Sequence, residues 1–333
     1  MNFVYLIKIT LMQSRRSFIQ QAALVAAGLA IQPTRILAGG KPTAIPGKLG
    51  IQLYTLRDEL SKDVKGTIAK VAKAGYQQVE TFFNYQGANS DFWGLSTPEF
   101  KALLKQHHLT TPSGHYQLSD YLTKGNGDDS ALKAQLDIAA GAGQEYFVVP
   151  IPPHYLWDKY PVPVDDYKFI AAQLNKAGEL AKQSNLKVGY HNHFWEFRKL
   201  PDGKDTAYDI LLQETDPSLV FFELDLFWAE KAGHSPASLF KKAPGRFPMW
   251  HVKDMDKNAS NPVPDTEAVR IQDIEGDIKF AEVGTGSIDF KQIFTNASAA
   301  GVKYLFVEQD KITIDPFESI AKSAAYVKKH LMK

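Results

Sequence analysis

The stretch Phe247–Asp254, FPMWHVKD, reads as a buried strand that stops abruptly in reactive groups. Apolar and aromatic residues run into His251, and Lys253 and Asp254 follow at once. A surface strand alternates polar and apolar residues, whereas a core strand does not finish in His-x-Lys-Asp. Side chains alternate along a strand, so His251 and Lys253 share a face. The stretch delivers an imidazole and an ammonium to the rim of a site.

Outward from it, apolar strands alternate with helical segments in both directions. Toward the N-terminus the strands are 49–56, 77–83, 109–116, 145–151, 186–193 and 219–226, and one more follows at 302–310. The helical segments are 61–74, 97–107, 129–142, 165–184, 205–214, 235–242, 289–300 and 315–331. The third of these strands is assigned despite Pro112, and the helix at 97 opens on Thr97-Pro98-Glu99, proline and acid in the first turn. Repeated strand–helix units imply parallel pairing, and eight of them suit a single α/β domain, a (β/α)8 TIM barrel over residues 41–333. A doubly wound open sheet is the alternative. It carries a glycine-rich phosphate loop after its first strand, and Tyr54-Thr55-Leu56-Arg57-Asp58 is not one. The polar segment 255–288 is the one long insertion, readable as a lid or as a contact with another subunit.

Residues 1–40 read as an export signal and linker. Arg15-Arg16 precede the apolar stretch 22–31, and Ala38 stands before Gly39 in the manner of a twin-arginine leader, which predicts a periplasmic protein. Ten apolar residues are too few for a permanent span, and with no cysteine there is no lipoprotein anchor, so no stable membrane anchor is expected. Residues 1–38 hold four basic and no acidic residues, leaving 34 Lys+Arg against 37 Asp+Glu in the rest. That balance disfavours a nucleic acid partner, because phosphate neutralisation needs a basic surface. A homo-oligomer is compatible with the sequence.

In a barrel of this type the active site lies at the C-terminal strand ends. There the sequence places Tyr54 and Arg57, Glu80, His115, His154, His191 with His193 and Glu196, Glu223 with Asp225, His251 with Lys253, and Glu308 with Asp310. Five of nine histidines fall at or just after strand ends, which scattered surface histidines would not do. Imidazole and carboxylate without thiolate form a nitrogen/oxygen donor set suited to Mn, Co, Zn, Mg or Fe. An ion there could grip adjacent sugar oxygens while a neighbouring base moves a proton. Tyr116, Trp195, Phe197, Phe227 and Trp228 flank these positions and suit either ring stacking on a sugar or core packing.

The segments YHNHFWEF (190–197), ELDLFWAEKAG (223–233), WHVKD (250–254) and EVGTGSIDF (282–290) together resemble the sugar phosphate isomerase/epimerase superfamily, the xylose-isomerase-like TIM barrels, over residues from about 48 to 330. The resemblance implies one divalent ion, manganese first, held by residues on the last four strands. Carried over, Asp225, His251 and Glu308 fill three places and His191 stands where many relatives have a glutamate that doubles as a base. Glu308 is then the inherited carboxylate base, His193 or Glu196 supplies any second one, and Lys253 steadies negative charge on a substrate oxygen. Tyr54, Glu80, His115 and Trp228 are expected to contact substrate. The implied activity is proton abstraction beside a carbonyl of a non-phosphorylated carbohydrate, isomerase- or epimerase-like. The alternatives are a 3-keto-glycoside lyase or hydrolase acting by β-elimination and a carbohydrate-binding barrel without catalysis.

Overall fold

The computed structural model describes residues 47–82, 92–259, 261–267 and 269–332. The export signal expected over 1–40 lies outside them, as does Phe83 at the end of the second expected strand. Eight parallel strands close into a barrel: β1 Leu49–Gln52, β2 Gln78–Phe82, β3 Thr110–His115, β4 Tyr146–Val149, β5 Lys187–His191, β6 Val220–Asp225, β7 Met249–Val252 and β10 Tyr304–Val307. Between β7 and β10, β8 Asp254–Met255 and β9 Phe280–Ala281 form an antiparallel pair outside the barrel. The ring closes where Leu49, Gly50 and Ile51 pair with Leu305, Phe306 and Val307.

Alternation decides what enters the barrel. In β7, Met249 packs inside against Tyr146, Val148 and Phe306. Trp250 points out and stacks on Phe240 of the outer helix Pro236–Lys242 at 4.9 Å between ring centroids. His251, two residues past Met249, therefore faces the interior one layer higher, and Lys253 continues the column. Gly189 of β5 serves the same packing, since a Cβ there would sit 3.0 Å from Val148 Cγ2 and 3.1 Å from Met249 Cε. The result is an apolar plug beneath a polar layer. Each fully buried plug side chain contributes roughly 1.5–3 kcal/mol.

Four departures from the sequence reading have local causes. The helix expected over 61–74 is two helices, Arg57–Lys62 and Val64–Lys73, because the Asp63 carboxylate caps the second by accepting from Gly66 N at 2.9 Å. The helix expected over 289–300 is likewise two short ones, Phe290–Phe294 and Ala297–Ala300. An additional helix, Leu226–Lys231, starts directly at the end of β6, where Asp225 Oδ1 accepts from Trp228 N at 2.9 Å. Lastly, Asp254, grouped by the sequence reading with the reactive residues that end the strand, is a staple. Its carboxylate accepts from the backbone N–H of Met255, Gly284, Gly286 and Ile288 and so ties the GTGS turn to the end of β7. A Cβ on Gly286 would collide with that carboxylate.

Besides the Asp254 staple, the 255–288 insertion is held to the barrel by a buried lysine. Lys231 is 1% exposed, and its Nζ donates to the carbonyls of Ala259, Asn261 and Asp277, each at 2.8 Å. All three ammonium donors are thereby used on the insertion. A second buried polar group braces the exit of β5. Glu196, 0% exposed, accepts from Tyr190 Oη and from His193 N, both at 2.8 Å, and burial pushes its carboxyl up from 4.5 to about 7.

Two stability predictions follow from these braces. Lys231→Met leaves three carbonyls without their donor, so urea unfolding is expected to show a loss of about 3 kcal/mol, with limited proteolysis accelerated inside 256–280. For Glu196, the folded carboxyl keeps its proton up to about pH 7 while the unfolded one releases it near 4.5. The folded state then binds more protons in that window, and stability falls as pH rises through it, by on the order of 3 kcal/mol. Urea titrations at pH 5 and pH 8 are expected to show this slope in the parent and a flattened one in Glu196→Gln.

Candidate functional site

The C-terminal mouth of the barrel opens into a cavity of about 540 Å³. His115, His191, His193, Lys253, Glu308 and Asp310 form its polar floor. Trp157, Trp195, Trp228, Ile278, Phe280 and Tyr54 make up much of its wall. The insertion thus acts as cavity wall, through Ile278, Phe280 and Gln272. His193 stacks on Trp195 at 4.7 Å and lies 5.4 Å from the Trp228 ring, while Trp157 stacks on Trp195 at 4.6 Å.

Beneath the floor, His251 is the centre. Its Nδ1 is 2.8 Å from Glu308 Oε2 and 4.0 Å from Asp225 Oδ2. Its Nε2 is 2.7 Å from Glu80 Oε2 and 3.1 Å from Glu223 Oε2. Two clusters suited to a metal ion meet at this ring: Asp225, His251 and Glu308 on one side, and His115, His191, Glu223 and His251 on the other. All of these residues are buried. Two buried carboxylate oxygens, Asp225 Oδ2 and Glu223 Oε1, accept no hydrogen bond, although Asp225 Oδ2 lies 3.0 Å from Lys253 Nζ. Carboxylate and imidazole atoms with unused lone pairs fit a divalent ion of the nitrogen/oxygen-binding kind.

Charge pairing sets the protonation of the cluster. Burial opposes the charge on Lys253, but Asp225, Asp310 and Glu308 outweigh it and hold the ammonium well above its usual pKa. Lys253 Nζ is 2.7 Å from Glu308 Oε2 and 3.0 Å from Asp310 Oδ1. For Glu308, burial is overcome by Lys253 and His251, so the carboxylate is held well below its usual range. Burial is likewise overcome at His251 by Glu223 and Glu308, and at His115 by Glu80 and Glu223, so both imidazoles are raised. Burial and His251 lower His191 to about 4, and burial with His191 lowers His193 further below the usual range. Both rings are therefore neutral imidazoles, and the buried Nδ1 of His193 has no hydrogen-bond partner.

The expected residues separate accordingly. His191, Asp225, His251 and Glu308 converge, with His191 Nε2 3.7 Å from Asp225 Oδ2. Tyr54, His115, His193, Trp228 and Lys253 line the cavity. Tyr54 does so from a turn of 3-10 helix, Leu53–Leu56, after β1 has ended, with the Arg57 guanidinium 4.4 Å from its ring. Glu80 and Glu196 are not on the cavity surface. Glu80 lies behind His251, accepting from Gln52 Nε2 at 2.8 Å and from Ser113 Oγ, and the Glu196 carboxylate is turned to Tyr190 and the backbone. Trp195 reaches the cavity, whereas Tyr116, Phe197 and Phe227 are core. Sequence reasoning left Glu223 without a role, although its spacing of two from Asp225 already put both carboxyls inside the barrel. Trp157 and Ile278 arrive from loops and Phe280 from the two-residue strand β9, where no periodicity marks them.

Residues 68–330 match the profile of the xylose isomerase-like TIM barrel family. An inosose dehydratase of Geobacillus thermodenitrificans is 30% identical over 179 residues, which is 52% of this chain and 58% of that relative. The chain therefore aligns to little more than half the length of that relative. An inosose dehydratase of Clostridium botulinum is 25% identical over 277 residues, 78% of this chain and 87% of its own. A crystal structure of a sugar phosphate isomerase/epimerase from Parabacteroides distasonis superposes with a TM-score of 0.68 at 29% identity, covering 86% of this chain and 96% of that one. With 263 residues inside one profile and a closed eight-stranded parallel ring, the chain belongs to the xylose isomerase-like TIM barrel family.

Proposed function

We propose that this chain is a divalent-metal-dependent enzyme that removes a proton beside a carbonyl of a non-phosphorylated carbohydrate. The observation that carries the reading is the juxtaposition, in one cavity, of the His193 imidazole and a locked ammonium above a buried cluster suited to a metal. Asp225, His251, Glu308 and His191 would hold the ion, manganese by first assignment. When bound, the ion supplies a Lewis acid that polarises the substrate carbonyl. His193 takes the proton, since it is the uncommitted base on the floor. Lys253 keeps its charge at every physiological pH and sits where it can face an oxyanion on the substrate. Glu308 is tied to His251 and Lys253, which favours a holding role over the proton-accepting role expected for it. Trp195 and Trp228 offer flat apolar faces to a sugar ring. The leader with Arg15-Arg16 supports a periplasmic location for this reaction.

A second reading is elimination, in which the proton taken by His193 is followed by loss of a group one carbon away. Its support is the similarity to relatives named inosose dehydratase and the absence of a second free carboxylate base among the described cavity residues. Loss of water, or of an aglycone from a 3-keto-glycoside, needs a single base of this kind.

Elemental analysis of protein purified without added metal is expected to find a bound or restorable divalent ion. Affinity is expected to fall at least about 100-fold in His251→Ala, because both ring nitrogens face the clusters. Incubation in deuterium oxide with free ketoses, inososes and 3-keto-glucosides, followed by NMR, is expected to show exchange or loss of the proton beside the carbonyl. That rate should drop about 1000-fold in His193→Gln and about 100-fold in Lys253→Met. No exchange with any of these, together with sugar binding that Asp225→Ala leaves unchanged, would identify a binding barrel instead.

A further inference from the structure

We propose that the barrel interior holds a second divalent cation site, formed by His115, His191, Glu223 and His251, for an imidazole-binding ion such as Zn²⁺ or Co²⁺. The four residues come from β3, β5, β6 and β7, all are buried, and their donor atoms lie within 4.8 Å of one another. Three imidazole nitrogens converge on one oxygen: Glu223 Oε2 is 2.7 Å from His115 Nε2, 3.1 Å from His191 Nδ1 and 3.1 Å from His251 Nε2. The other oxygen, Oε1, is buried with no partner at all. A carboxylate crowded on one side and bare on the other suits a cation better than a hydrogen-bonded core.

Charge separates this inner set from the outer one. Lys253 already pairs with Asp225, Glu308 and Asp310 at 2.7–3.0 Å. Among the described residues no lysine or arginine reaches Glu80 or Glu223, whose ion-pair partners are histidines alone. Histidines are the ion-pair partners of both carboxylates, and one divalent ion bound by those rings would replace the charge they release, with Glu80 3.3 Å from His115 Nε2 as a flanking group. With both sites filled His191 serves the inner ion through Nδ1, 3.1 Å from Glu223, and leaves the outer ion to Asp225, His251 and Glu308. Its Nε2 is 3.7 Å from Asp225, so it would turn to the outer ion only when that site is filled alone. Entry is open, because His115 and His191 line the cavity. With both sites filled, His251 presents Nε2 inward and Nδ1 outward, and its remaining ring proton passes to solvent. The inference rests on the proposed function only for the outer ion.

The test uses the full chain, stripped with chelator, loaded with Zn²⁺ and freed of excess metal. Two ions per chain are expected by mass spectrometry of the metal. Glu223→Gln and His115→Asn should each reduce the count to one, and Asp225→Asn should also leave one. In wild-type crystals soaked with Zn²⁺, anomalous maps should show one peak on each side of the His251 ring, which keeps the test decisive if a variant fails to fold. A single peak or a single equivalent in the wild type overturns the proposal, and so do two equivalents that survive both inner variants. Two ions with no proton exchange on any carbohydrate would sink the proposed reaction and leave this site standing.

Discussion

The whole polar layer depends on the imidazole of His251, held at 2.7 Å by Glu80 on one ring nitrogen and at 2.8 Å by Glu308 on the other. A ring gripped at both nitrogens has no rotational freedom, so the strands that supply its partners are locked in relation to it. Glu80 comes from β2 and Glu308 from the residue after β10, on either side of β1 in the ring. One side chain on β7 therefore ties together the part of the barrel where its first and last strands pair. A change at His251 strands two buried carboxylates at once, the situation in which a buried pair matters most.

Such a layer is stable only because of what lies beneath it. Burying several ionisable groups costs several kcal/mol each unless they are paired. The barrel sets them on a dry floor of Tyr146, Val148, Met249 and Phe306, which leaves each charge no option but its partners. The glycines at 50 and 189 matter here because they let large neighbours fill the lumen, Phe306 beside the first and Met249 beside the second. Were those positions occupied by side chains, the plug would shift and the histidines above it would move by the same amount. Site geometry is in this sense a packing property of the layer below.

Much of this was legible in the sequence, and the reason is periodicity. Several of the apolar runs that became strands carried polar residues at their C-terminal ends, and a spacing of two fixed which pairs would face inward, as with His251 and Lys253 or Glu223 and Asp225. The eight barrel strands lie within their expected ranges for the same reason. Pairing across the lumen was not legible. Nothing local says that Glu80 lies behind His251 instead of on the cavity, because that depends on Ser113 and Gln52 of neighbouring strands reaching it first. Glu196 illustrates the same limit: one turn past β5 its carboxyl folds back to cap the backbone. The cavity walls from Trp157, Ile278 and Phe280 come from segments outside the barrel repeat, the last two in an insertion tied down by Lys231, and no repeat announces them.

The division of labour among the cavity's ionisable groups also bears on the chemistry. An epimerase needs a base and an acid on opposite faces of one carbon, each free to change protonation during turnover. On this floor Glu308 and Asp310 are committed to Lys253, and Glu308 to His251 as well. Among the floor groups His193 has a ring outside these ion pairs, its buried Nδ1 without a hydrogen-bond partner. An arrangement with one mobile proton site and one fixed positive charge suits reactions in which the charge formed by proton removal is discharged by a departing group. Retention of that charge for reprotonation from the other face would call for a second mobile site. In the proposed reaction the locked ammonium of Lys253 would hold the substrate oxygen while His193 changes state, and this asymmetry is the physical argument for the elimination reading.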